Sequence, residues 1–189
     1  STLMRSSAAS DVYKRQGMTW GRAMHEFVEQ LAKDERLRSL SFQNVKVVPF
    51  LGTPGAIQSD SWNTTTYSNT LATKVGNLLH CASYNLSAPM YVEGTKEKEL
   101  IESIDEIAKV LHMAETADIA LIGIGSMQDD SSIIKAEIRT KEEYKELVRK
   151  GAVGEIVGRI YDKNGQTVDE DLKRKMVGIS LDKIAKIPV

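Results

Sequence analysis

The sequence predicts an α/β fold in which helices cover both faces of a mostly parallel β-sheet. Residues 45–51 and 118–125 are short, apolar and rich in β-branched side chains, as buried parallel strands are. Residues 21–33 and 96–114 carry apolar side chains at helical spacing. Because strands that alternate with helices form parallel sheets, we expect a Rossmann-like domain.

Local signals give the other elements in chain order. Thr140 and Glu143 have the spacing of a capping box, which predicts a helix start, and Gly151 is placed to end that helix. The remaining predicted elements are a helix carrying Leu71, Val75, Leu78 and Leu79, an extended segment at 87–92, a strand at 154–161, a turn at 162–165, a strand at 176–179 and a helical turn at 181–184.

Composition restricts the class of protein. The 189 residues are enough for one ordinary domain, and 25 Lys and Arg against 26 Asp and Glu give a net charge of -1. This balance argues against a nucleic-acid-binding or membrane-surface domain, because both need a basic excess. Cys81 is the single cysteine, and no apolar run is long enough for a membrane helix. These features predict a cytoplasmic protein with no membrane partner.

Residues 1–16 differ from the rest of the chain. They are rich in serine and basic residues, show no period of a strand or helix, and run directly into a loop that normally follows a strand. We therefore expect residues 1–16 to be a non-native or disordered leader that does not complete the sheet. Residues 17–189 form the predicted domain, which is expected to be incomplete because an apolar strand would begin near its end.

Three glycine-containing loops lie where ligands bind in such a sheet, beyond the carboxyl ends of the strands. Residues 17–22 combine backbone N–H groups at a helix start with the Thr19 hydroxyl and the Arg22 guanidinium, which suits a phosphate. The other two loops are residues 52–55 and 123–126. Each loop alone is more typical of a plain turn, but three at one edge favour a binding site.

Other chemistries have little support. The glycines at 123–125 lack the third glycine of a dinucleotide-binding motif, and no Walker loop occurs. His25, His80 and His112 have no partner at metal-ligand spacing, and Cys81 has no nearby base. We therefore predict no metal, no cofactor and no catalytic residue.

Glu155 is the most informative polar residue. It lies between Gly154 and Gly158 at the predicted mouth of a strand, where a carboxylate can accept hydrogen bonds from two sugar hydroxyls. A surface acid on a tight turn fits the same spacing slightly better, so both interpretations stay open.

Four groups of residues, taken together and in order, resemble a known family. They are Gly17-Met18-Thr19-Trp20-Gly21-Arg22, the strand at 121–125 with Asp130-Ser131-Ser132 after it, the segment 151–159, and residues 177–188. They are similar to the effector-binding domain of SorC-type sugar-responsive transcriptional regulators of bacteria, over residues 17–189. The resemblance implies a fold related to phosphosugar isomerases and deaminases. It also implies a helix-turn-helix outside this chain and a homodimer or homotetramer.

The resemblance further implies roles for individual residues. It assigns contacts with the effector phosphate to Gly17, Thr19, Trp20 and Gly21, a sugar-facing loop to Gly52 and Thr53, and hydroxyl recognition to Glu155. The position of the third glycine loop adds Gly123 and Gly125 to the expected effector-binding residues. The expected function is to sense a phosphorylated sugar without turnover, with DNA bound only through the missing helix-turn-helix.

Two alternatives stay open at this point. One is an enzyme of the phosphosugar isomerase or deaminase class, with Glu155 or Asp129 as the general base. The other is an oligomerisation module that binds no ligand.

Overall fold

The computed structural model describes residues 14–40, 42–54 and 64–187. One sheet is parallel and consists of β1 (Lys14–Met18), β2 (Val45–Pro49), β3 (Ala82–Ser83) and β4 (Ile119–Leu121), in the order β3-β2-β1-β4. The other is antiparallel and consists of β5 (Ile124–Gly125), β6 (Ala152–Ile156) and β7 (Arg159–Asp162), in the order β5-β6-β7.

Helices lie on both faces of the parallel sheet. They are α1 (Arg22–Ala32), α2 (Ser68–Leu79), α3 (Thr95–Glu102), α4 (Asp105–Glu115), α5 (Ser132–Lys135), α6 (Lys141–Arg149), α7 (Glu170–Lys175) and α8 (Leu181–Ile184). Val47 packs into a cluster with side chains of α1 and α2, whereas its neighbour Val48 packs into the larger cluster that contains α4. Because successive strand residues point to opposite faces, this alternation confirms the predicted α/β architecture. Among the helices of the described residues, none is long and apolar enough to cross a membrane.

The expectation that no strand precedes Gly17 is wrong. Lys14–Met18 is a central strand of the parallel sheet, which pairs with β2 on one side and β4 on the other. The Arg15 N–H also donates to Asp118 Oδ2 at 2.7 Å. This segment has little strand propensity of its own, but its two neighbours supply the hydrogen bonds and packing that propensity lacks. The domain therefore includes Lys14–Met18; residues 1–13 lie outside the described residues.

The helix predicted at 96–114 is two helices, α3 and α4, which are separated at Ser103 and Ile104. The Ser103 hydroxyl donates to the carbonyl oxygen of Leu100 at 2.7 Å, and Ile104 has an extended backbone. Leu100 and Ile104 are exposed, although the helical pattern places them on the buried stripe. Asp105 and Glu106 open α4, where the helix dipole favours acidic side chains.

The predicted strand at 154–161 is a hairpin. β6 and β7 are joined by Val157 and Gly158, whose φ angles are 52° and 69°. Two consecutive residues with positive φ form a type I′ turn, which allows two antiparallel strands to connect through two residues. Valine seldom adopts this conformation, so a turn at this position is not predictable from its residue types.

Two further strand predictions need correction. Residues 118–125 divide between the two sheets, because β4 is parallel to β1 whereas β5 pairs with β6. Residues 87–92 and 176–179 form isolated bridges, in which Tyr91 pairs with Met176 and Leu51 with Gly178. These bridges place the segment 176–179 against the carboxyl end of β2.

The local signals at the other elements were reliable. The capping box of Thr140 and Glu143 is present at the start of α6, and Gly151 follows that helix with a φ of 100°. The predicted turn at 162–165 forms around the Asp162 carboxylate, which accepts the Asn164 N–H at 2.8 Å. The predicted helical turn corresponds to α8.

Candidate functional site

The loops that follow β1 and β4 are in contact, because the two strands are neighbours in the sheet. The Thr19 N–H donates to the carbonyl oxygen of Leu121 at 3.2 Å. A Cβ atom on Gly123 would lie 3.7 Å from the Trp20 carbonyl oxygen and 3.9 Å from the Thr19 methyl group. The structure therefore brings together two of the three predicted loops at the carboxyl edge of the parallel sheet.

Thr19 has a buried hydroxyl that makes no hydrogen bond within the described part of the chain. Its side chain is completely buried, where β1 leads into the loop before α1. An unpaired buried hydroxyl costs about 1–3 kcal/mol of stability. Such a group is unusual in a folded protein and marks a position where a ligand oxygen can supply the missing partner.

The start of α1 suits an anion. Gly21 caps the helix with φ 106° and ψ 170°, and its N–H donates to the carbonyl oxygen of Thr66 at 2.9 Å. No side chain within the described residues caps α1, and no acidic residue lies in its first turn. The first N–H groups of a helix have no partner inside the helix and carry its partial positive charge. The anion-binding capacity therefore lies in the amides after Gly21, rather than in the Gly21 amide itself.

Glu155 is buried, with 6% of its surface exposed, so the interpretation as a surface acid is wrong. Its Oε1 accepts hydrogen bonds from the Gly158 N–H, inside the β6–β7 turn, and from the Trp20 Nε1–H at 3.4 Å. Burial raises the pKa of the Glu155 carboxyl, although these two hydrogen bonds act against the shift. The carboxylate thus joins the loop after β1 to the hairpin.

Because Gly125 has no side chain, there is room beside it for the Glu155 carboxylate. A Cβ atom on Gly125 would lie 2.5 Å from Glu155 Oε2. Three predicted site residues from distant parts of the chain therefore lie together: the buried side chains of Trp20 and Glu155, and the half-buried Gly125.

Gly52 and Thr53 follow β2 and are held by other segments. A Cβ atom on Gly52 would come within 2.5 Å of the Pro89 carbonyl oxygen, and the Gly52 N–H donates to Val177. Thr53 Oγ1 accepts a hydrogen bond from Asn69 at 3.0 Å. These contacts give both residues a role in packing within the protein. Their contact with a sugar stays a prediction.

Gly17 lies inside β1 rather than in the loop. A Cβ atom at this position would overlap the ring of Phe50. The glycine is therefore needed for the close approach of β1 and the Phe50 side chain, and its contact with an effector also stays a prediction.

Arg159 is a buried residue that the sequence analysis did not single out, although Gly158-Arg159 was part of the family resemblance. The residue is 4% exposed, and its guanidinium donates to carbonyl oxygens of Lys173, Gly178 and Ile179 at 3.1–3.2 Å. Burial lowers its pKa to about 10. Arg159 fixes the segment 173–179, which in turn contacts Leu51 and Gly52 at the end of β2.

A cavity of about 400 Å³ lies at the opposite, amino-terminal edge of the parallel sheet. It is lined by Gln43, Gly76, Asn77, His80, Cys81 and Ala82. None of these is a predicted site residue, so the cavity does not bear on the site described above.

Comparison with known families identifies one match over nearly the whole chain. The model of a family described as "Putative sugar-binding domain" matches residues 12–189. The chain is 29% identical over 111 residues to the transcriptional regulator LsrR of Klebsiella pneumoniae. This alignment covers 57% of this chain and 34% of that protein. It is 28% identical over 170 residues to the sorbitol operon regulator of Klebsiella pneumoniae, which covers 89% of this chain and 50% of that protein.

Solved structures show the same fold. The full-length sorbitol operon regulator SorC from Klebsiella pneumoniae superimposes with a TM-score of 0.78 at 25% identity, over 95% of this chain and 55% of that one. A DeoR family transcriptional regulator from Listeria monocytogenes gives a TM-score of 0.77 at 23% identity, over 95% of this chain and 66% of that one. The chain spans about half the length, or less, of LsrR and the sorbitol operon regulator in the sequence comparison.

Proposed function

The chain belongs to the sugar-binding domain family, and we propose that it binds a phosphorylated sugar as the effector-sensing part of a cytoplasmic transcriptional regulator. The effector phosphate binds at the start of α1, and the sugar extends toward Gly123, Gly125 and Glu155. The protein carries out no turnover of the sugar.

The observation that carries the proposal is the Thr19 hydroxyl, which is completely buried and has no hydrogen-bond partner among the described residues. It lies beside the start of α1, which no described side chain caps. A phosphate oxygen is a strong acceptor for a hydroxyl and for helix N-terminal amides, so one bound phosphate satisfies both. The similarity to the sorbitol operon regulator supports a sugar-derived effector.

Glu155 has a secondary part in this proposal. With Oε1 used by Trp20 and Gly158, hydroxyl recognition falls to Oε2, on the side of Gly125. A ligand hydroxyl that donates to Oε2 favours the ionised carboxylate and opposes the effect of burial on its pKa. Effector binding and ionisation of Glu155 are therefore expected to favour each other.

Regulation follows from a population shift. The effector binds one arrangement of the protein better than another, and this difference in affinity changes DNA binding by a helix-turn-helix outside this chain. We expect the complete protein to act as a homodimer or homotetramer, in which that change passes between subunits.

The test uses calorimetry on the complete protein with phosphorylated and unphosphorylated hexoses, pentoses and hexitols. We expect binding of a phosphorylated member and much weaker binding of its neutral counterpart. Equal affinity for both, or no binding of any phosphorylated sugar, contradicts the proposal. Product formation is followed by NMR in the same samples. Reproducible turnover that Glu155→Gln abolishes would establish an enzyme instead.

A further inference from the structure

An ion pair crosses the start of α1. Arg22, the first residue of the helix, places Nη2 2.5 Å from Asp130 Oδ2 and 3.3 Å from the Asp130 carbonyl oxygen. Asp130 belongs to the loop between β5 and α5. Ser132, the first residue of α5 directly after this loop, places its Oγ 3.8 Å from the position that a Gly21 Cβ would take. The loop of Asp130 therefore lies directly against the proposed phosphate position.

Arg22 can exchange Asp130 for another anion. The hydrogen bond from Arg22 lowers the pKa of the Asp130 carboxyl, so this group is ionised at neutral pH. The Arg22 and Asp130 side chains are 61% and 51% exposed, and exposed ion pairs contribute little to stability. A phosphate carries more charge than a carboxylate and binds a guanidinium through two parallel hydrogen bonds, so it can displace Asp130.

A second, independent feature points to a ligand at this position. The Thr19 hydroxyl is completely buried and unpaired within the described residues. Thr19 lies on the segment that leads into α1, three residues before Arg22.

We propose that Asp130 competes with the effector phosphate for Arg22, and that it thereby sets both the affinity and the preference for phosphorylated over neutral sugars. On binding, the Arg22 guanidinium transfers from Asp130 to the phosphate, and the loop between β5 and α5 is released from α1. This inference rests on the proposed function and identifies Asp130 as a residue that opposes phosphate binding.

The test is calorimetry of the complete protein with inorganic phosphate as the probe. Asp130→Asn keeps the size of the side chain and removes the competing charge, so phosphate affinity rises about two-fold to five-fold. Asp129→Asn is the matched control, because it makes the same charge change at an exposed neighbour. No ion pair of Asp129 occurs in the described parts of the chain. We expect it to give less than half of the gain.

Two further measurements identify the mechanism. In an Arg22→Gln background, Asp130→Asn gives no gain in phosphate affinity, because the guanidinium for which Asp130 and phosphate compete is absent. The gain in the wild-type background also shrinks as salt is raised, because salt screens exposed charges. Equal gains from the two asparagine variants, or a gain that persists without Arg22, overturn the inference.

Thr19→Val separates the two possible failures. If Thr19→Val weakens phosphate binding while Asp130→Asn leaves it unchanged, the phosphate site stands and only the competition is wrong. If Thr19→Val has no effect, or if no variant binds phosphate, the proposed function fails and the inference fails with it.

Discussion

The indole Nε1–H of Trp20 donates to Oε1 of Glu155 at 3.4 Å and joins two residues that are 135 positions apart. Trp20 lies in the loop between β1 and α1, and Glu155 lies in β6, beside the turn to β7. The parallel sheet and the antiparallel sheet β5-β6-β7 are therefore joined at the site where the effector is proposed to bind. A change in the Thr19–Gly21 loop is expected to reach the hairpin through this carboxylate.

Thr19→Val is expected to stabilise the protein and to lower its affinity for the effector. Valine has the shape of threonine without the unpaired hydroxyl, so the free energy of unfolding should rise by about 1 kcal/mol. Phosphorylated-sugar affinity should fall by about 1–3 kcal/mol, because a charged acceptor loses its donor. Urea denaturation and calorimetry measure the two quantities separately.

Thr73→Val is the matched control for this pair of effects. Its hydroxyl is on an exposed position of α2 and donates to the Asn69 carbonyl oxygen at 2.9 Å. This variant should leave effector affinity unchanged. A loss of stability in Thr19→Val would show that the hydroxyl is paired within the protein and would remove the argument for a ligand.

Glu155→Gln should change how stability depends on pH. Burial raises the pKa of Glu155 above its ordinary 4.5, so between pH 4.5 and the raised value the folded state holds a proton that the unfolded state has lost. The stability contributed by the protonated carboxyl is therefore complete below pH 4.5 and is lost as pH rises through the raised pKa. Glutamine keeps an acceptor for the Gly158 N–H and does not titrate.

The stability of Glu155→Gln relative to wild type should accordingly increase as the pH rises from 4.5 through the raised pKa of Glu155. Thermal unfolding across this range measures it. The exposed Glu142→Gln is the control, and its curve should stay parallel to wild type. Parallel curves for Glu155→Gln as well would mean that burial does not penalise the ionised carboxylate.

The sequence predicted the layers of this fold better than its connections. Apolar periodicity was sufficient for α1, α2 and β2, because each buries one continuous face. It failed at β1, where pairing on both sides stabilises a polar segment, and at Val157, where a residue that disfavours positive φ forms a turn. Both outcomes depend on partners that are distant in the sequence, so no local pattern carries them.

The site shows the same division. Sequence reasoning selected Trp20, Gly125 and Glu155 from three separate segments, and the structure brings these three residues together. It did not indicate that Glu155 is buried, because the flanking glycines are equally compatible with a surface turn. Arg159 was also missed as a separate feature, since only the fold brings its backbone acceptors at 173–179 around the guanidinium.

Gly17→Ala should destabilise the protein through the Phe50 ring. The added methyl group overlaps that ring, and overpacking of a core costs about 1–3 kcal/mol. Phe50→Leu removes the obstructing atoms, so the double variant should be more stable than the sum of the single changes predicts. A urea denaturation cycle of the four proteins measures the coupling. Strict additivity would indicate that Gly17 is required for something other than this contact.

Arg159→Lys should be strongly destabilising although it keeps the charge. The guanidinium donates from two nitrogens to the carbonyl oxygens of Lys173, Gly178 and Ile179. A lysine ammonium has a single nitrogen and cannot donate to all of these acceptors. Buried carbonyl groups left without donors cost about 1–3 kcal/mol each, so we expect a loss of at least ~2 kcal/mol in urea denaturation.

Arg149→Lys provides the comparison for this last change. Arg149 lies at the end of α6 with 72% of its side chain exposed, and it pairs only at the surface with Glu146. The same substitution there should change stability by less than about 0.5 kcal/mol. Since Arg159 also holds the segment that contacts Gly52, Arg159→Lys should weaken effector binding at temperatures where the variant is still fully folded. A folded Arg159→Lys variant with wild-type stability and wild-type affinity would show that the segment 173–179 is held without this guanidinium.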